Sequence, residues 1–118
     1  MVLLLEGLNR VRDLMFEDIE KGQLGTGSTA ATESDTGLET PDATTLLTLT
    51  KKPTTDKQIK FDYLLTSTGG TTGTYREYEL VGNSSGTNFD RIVFTGVSWV
   101  EGGTQDLNVT KRYFIESI

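Results

Sequence analysis

A chain of 118 residues, 35% of them hydrophobic, is sized for one domain with a thin core. Seventeen acidic residues against eleven basic ones leave a net charge of −6, which argues against a phosphate backbone or an anionic membrane as the main partner. The chain has neither cysteine nor histidine, so disulfides, thiolate metal sites, histidine-based triads and nearly all zinc constellations are excluded.

Val2 to Leu5 is too short an apolar run for a signal-peptide core and lacks a basic start. No run approaches the roughly twenty residues that a spanning helix needs. The expectation is a chain without an export signal and without membrane insertion. Leu4, Leu5, Leu8, Val11, Met15 and Ile19 recur at helical spacing, which predicts an amphipathic helix over residues 2–20. Leu14 and Phe16 widen its apolar face, and Gly22 after Lys21 stands where a helix-ending glycine belongs. Residues 23–43 then change to Gly, Thr, Ser, Ala and acid, with Leu24 and Leu38 as the large apolar anchors of an extended arm.

Beyond the arm the period changes from 3.6 to 2. Strands are expected over 44–50 and over 57–66, where Ile59, Phe61, Tyr63 and Leu65 alternate with Lys60, Asp62 and Leu64. A further strand over 74–81 sets Tyr75 and Val81 against Tyr78 and Leu80. The stretch 88–100 puts Ile92, Phe94 and Val100 opposite Val93, Val97 and Trp99, with Gly96 as a bend or bulge. The last strand, 104–116, aligns Leu107, Val109, Tyr113 and Ile115 on one face. The fold expected is mainly β: an antiparallel sandwich or meander of five to six strands with an N-terminal helix, one domain over 1–118 divided into helix (1–22), arm (23–43) and β body (44–118).

Asp35-Thr36-Gly37 is the triplet that carries the catalytic aspartate of aspartic proteases, which makes a dimeric protease a remote alternative. That chemistry needs two carboxylates sharing one proton at the ends of buried apolar strands. Here the triplet follows the polar Thr32-Glu33-Ser34, so no catalytic residue is assigned. Gly22 to Gly27 lacks the lysine of a phosphate loop and follows a helix instead of opening one. Glu33, Asp35, Glu39 and Asp42 do not have the spacing of a calcium loop. No cofactor and no metal are expected. Asn83-Ser84-Ser85 and Asn108-Val109-Thr110 fit the glycosylation pattern and, without an export signal, are read as turn and strand residues. Trp99, Tyr75 and Tyr78 could stack on a sugar ring. A carbohydrate-binding sandwich recognising a host-surface glycan is therefore the alternative function.

Residues 21–38, Lys-Gly-Gln-Leu-Gly-Thr-Gly-Ser-Thr-Ala-Ala-Thr-Glu-Ser-Asp-Thr-Gly-Leu, resemble a segment common in structural proteins of tailed viruses of bacteria and archaea. There a Gly-Thr-Gly-(Ser/Thr)-Thr-Ala run leads to Ser-Asp-Thr-(Gly/Ala)-Leu and a β-rich body follows; Ala31 stands where proline is expected. The resemblance implies a virion location and a tail, fibre, neck or head-decoration protein, with copies of itself and other virion proteins as partners. Leu4, Leu8, Val11, Met15, Ile19, Leu24 and Leu38 are the candidate assembly residues.

Overall fold

The structure is a computed structural model and describes residues 4–53, 57–82 and 86–115. The start of the expected helix at residues 2–3, the Asn83-Ser84-Ser85 turn and the end of the last expected strand at Glu116 lie outside the described residues. Among the described residues one helix, α1 (Leu5–Asp18), precedes seven strands: β1 (Ile19–Gly25), β2 (Leu47–Thr48), β3 (Thr50–Pro53), β4 (Gln58–Leu65), β5 (Gly73–Gly82), β6 (Ile92–Trp99) and β7 (Leu107–Phe114). All pairings between strands are antiparallel. They build one sheet in the order β2-β1-β5-β6 and a second in the order β3-β4-β7. The mainly β architecture with an N-terminal helix is thus the expected one, without closure into a barrel.

The core lies between the two sheets. Ile59, Phe61, Tyr63 and Leu65 alternate inward along β4, each at most 1% exposed, and meet Tyr78 and Leu80 of β5. Tyr63 and Tyr78 cross the interlayer space edge-to-face, with ring centroids 5.3 Å apart. On β7 every second residue, Leu107, Val109 and Tyr113 among them, turns towards that core.

Three expectations are corrected. The sequence predicts helix end and arm over residues 19–25, yet they form β1, a strand paired on both sides, by β5 and by β2. The period-2 signal is hidden there because one inward position is Gly22. A Cβ at Gly22 would come within 2.6 Å of the Tyr78 hydroxyl and 2.8 Å of the Tyr63 ring, so those rings occupy the room of the missing side chain. The expected strand over 44–50 is instead a 3₁₀ turn (Ala43–Thr45) followed by β2 and β3, which belong to different sheets. The chain changes sheet at the buried Leu49, whose N–H donates to the Glu20 carbonyl at 2.8 Å. Finally, Tyr75 does not oppose Tyr78 and Leu80. The β5–β6 register shifts between Tyr75 and Glu77, and all three residues enter the core.

α1 lies against β1, β3 and β4, with Leu8 buried and Met15 and Phe16 packed on the core. Its C-terminal end is met by a cation from another element. The Lys51 ammonium of β3 donates to the carbonyls of Phe16 and Ile19, pairs with the Glu20 carboxylate at 2.6 Å and lies over the Phe16 ring.

Candidate functional site

The most elaborate polar construction in the molecule fixes the arm to the outer face of the four-stranded sheet. Because Tyr78 and Leu80 point inward, Glu77 and Glu79 of β5 point the other way, and both are buried beneath residues 27–40. One Glu77 oxygen accepts the N–H groups of Gly27 and Thr40 at 2.8 Å each. The other accepts the Glu39 N–H and the Arg91 Nε–H, again at 2.8 Å. Burial acts to raise the pKa of this carboxyl. The Thr40 amide, Arg91 and the other two amides outweigh it and hold Glu77 below the usual carboxylate range.

This site explains the glycines of the Gly-Thr-Gly run. A Cβ on Gly25 would stand 2.5 Å from the Glu77 carboxylate and 2.5 Å from the Thr40 carbonyl, and one on Gly27 would stand 2.7 Å from the same carboxylate. The arm amides reach Glu77 only because no side chain intervenes. Arg91 continues the network to Asp35, 3.0 Å away. Asp35 also accepts the Thr32 N–H and hydroxyl, closing a small turn. The Thr32 amide leads the effects that lower the Asp35 carboxyl, with Arg91 acting in the same direction.

The aspartate of the Asp-Thr-Gly triplet therefore stands on an exposed turn as the partner of an arginine. That surrounding differs from the buried strand end that proton sharing requires. Of the four acids weighed as cation ligands, Asp42 binds Thr44 and the Tyr75 hydroxyl, and Glu39 accepts the Ser28 amide. Among the described residues no group of three carboxylates converges as a metal site would require.

Glu79, beside Glu77, is less well provided for. Burial, with Asp90 and Glu77 nearby, pushes its carboxyl up to about 7, which the Leu38 amide offsets only in part. One of its oxygens has no hydrogen-bond partner among the described residues. Asp90 in turn joins the sheets at their edge: it accepts the Leu80 N–H at 2.8 Å, the Lys111 ammonium and the Tyr113 hydroxyl.

The candidate assembly residues separate into two groups. Ile19 and Leu24 are fully buried in the core of their own chain, Leu8 is 6% exposed, and Met15 packs against the core. Leu38 is half-buried in the arm. Leu4 and Val11 remain outward, 75% and 40% exposed, and Leu14, 48% exposed, joins them. The aromatic residues considered for sugar stacking are not on the surface: Trp99 is 2%, Tyr75 1% and Tyr78 0% exposed, and the Trp99 indole N–H donates to the Gly69 carbonyl. Glu77, Arg91 and Asp90 escaped the sequence reading. Their only sequence signal was charge at strand positions where alternation also allows an exposed face. Among the described residues no helix is long and apolar enough to cross a membrane. In comparison with known proteins, the chain matches no protein family, no curated protein and no solved structure.

Proposed function

We propose that this protein is a non-enzymatic structural component of the virion of a tailed virus, associating in many copies with itself and with other virion proteins. The virion part rests on the resemblance of residues 21–38 to such proteins, and the gene neighbourhood tests it: flanking genes for portal, tail or head components are the expected finding.

The observation that carries the association is the outward side of α1. Leu4, Gly7, Val11 and Leu14 follow one another at intervals of three or four residues and so share one side of the helix, and the three large residues among them are substantially exposed. A two-layer body has no need of apolar groups there, since Leu8, Met15 and Phe16 already serve the contact with the sheets. Burying such side chains against a neighbour yields about 1.5–3 kcal/mol each. Light scattering of the full chain, compared with a variant combining Leu4→Asn, Val11→Gln and Leu14→Gln, tests it. The expected result is an oligomer that becomes a monomer with an unchanged circular dichroism spectrum. A wild-type chain that stays monomeric at the highest attainable concentration counts against assembly.

A further inference from the structure

The outer face of the three-stranded sheet carries a feature that the core and the arm leave unexplained. Lys52 of β3 is paired with Lys60 of β4, and Lys60 is paired with Arg112 of β7. Three cations therefore stand in one row across neighbouring strands, about 4.8 Å apart from strand to strand. Like charges directly opposite one another destabilise a sheet. Among the described residues one acid answers them: Asp62, next along the face of β4, pairs with Lys60 at 3.4 Å and also feels the charge of Arg112. Lys52 and Arg112 are exposed and, among the described residues, have no carboxylate within ion-pair distance. Phe114, the next residue of β7 on this face, is 60% exposed. Neither α1 nor the arm covers the row. On a chain of net charge −6 this is a local excess of positive charge.

The opposite outer face of the sandwich is overlaid by a segment of the opposite character. It carries the arm, in which residues 26–42 hold Glu33, Asp35, Glu39 and Asp42 and no lysine or arginine. Glu33 and Glu39 are exposed. We propose that the row Lys52–Lys60–Arg112 receives the acidic arm of a second copy of this chain, so that the outer face of one sandwich stacks on the opposite outer face of the next. This rests on the assembly reading above and specifies a contact for it. Such a contact is heterologous: it uses two different surfaces of each copy and repeats from copy to copy, so it builds a ring or an extended column instead of a closed pair. A long polyanion such as nucleic acid fits the row less well, because its charge would meet the remaining acidic surface as well as the row.

The test uses the full chain in sedimentation velocity at low and high salt, with two charge-reversal variants. One combines Lys52→Glu, Lys60→Glu and Arg112→Glu, and the other combines Glu33→Lys and Glu39→Lys. The expected result is salt-sensitive self-association of the wild type, at least a tenfold weakening in each variant alone, and recovery of association when the two variants are mixed, because each then supplies the face that complements the other. Recovery on mixing cannot come from damaged folding, so it reports the proposed pairing itself. Association that persists through charge reversal and is lost with the α1 variant overturns this contact while leaving assembly standing. A wild type that is monomeric at every concentration overturns both. Binding of the wild type to heparin or to a DNA duplex through the row, without self-association, overturns the choice of a second copy as occupant.

Discussion

Glu77 is a buried anion with four donors on it, and the donors come from three places in the chain: Gly27, the pair Glu39 and Thr40, and Arg91. A buried charge is tolerable only when every lone pair has a partner, and removing one member of such a set leaves the others unmatched. Glu77→Gln keeps the shape but puts an amide N–H₂ against groups that are themselves donors. It is expected to cost about 3–5 kcal/mol in urea unfolding, the range for breaking a buried charge pair, and to open residues 26–41 to proteolysis. Gly27→Ala leaves the charges in place and disturbs the approach alone. With 2.5 Å to the Glu39 Cβ, the arm has to shift, and about 1–3 kcal/mol is the expected loss. A loss below 1 kcal/mol for Glu77→Gln would show that the arm is not held by this carboxylate.

The elements were legible in unequal degree, and the reason is local. β4 and β7 were plain because their inward positions hold large side chains, Ile59 to Leu65 and Leu107 to Tyr113, in unbroken alternation. β1 was not, because the register shift between Ile19 and Lys21 and the side-chain-free Gly22 break the period, and because Ile19 also continues the helical spacing of α1. Pairing with β5 decides the matter, and that pairing lies more than fifty residues away in sequence. The arm was visible as a composition, but its latch was not: nothing adjacent in sequence marks Glu77 as its anchor. α1 shows the same dependence on distant residues. It has no side-chain cap at Leu4 and no basic residue in its last turn, and Lys51 supplies the missing cation from β3. Lys51→Met retains the apolar stem over Phe16 and removes the charge. The expected consequences are a stability loss of about 1–2 kcal/mol and faster hydrogen exchange in the last turn of α1, with the β amides unchanged. Equal acceleration throughout the chain would point to a general loss of packing instead.

For the molecule as a whole, the carboxylates divide by sign. Asp35, Asp42, Asp62 and Glu77 are held below their ordinary values. Their contribution is present above the unfolded-state values of 3.8 for Asp and 4.5 for Glu and is lost as the pH falls through the folded ones. Glu79 is the reverse case. Its carboxyl moves from 4.5 in the unfolded chain to about 7 in the fold, so the folded state binds the proton more tightly. Its contribution is complete below 4.5 and is lost as the pH rises through about 7, by an amount on the order of 3 kcal/mol. Repulsion within a chain of net charge −6 adds to this decline on the alkaline side. Stability is therefore expected to be greatest near pH 5, at the acid end of the usual range, and to decrease steadily to pH 8. Urea unfolding across this interval checks it, at a protein concentration low enough that association does not contribute. Glu79→Gln separates the two causes: it removes the titrating group while leaving most of the net charge, so the decline should flatten and the variant should exceed the wild type at pH 8. A wild-type stability that rises from pH 5 to pH 8, or a variant that keeps the full slope, would show that Glu79 is not held protonated beneath the arm.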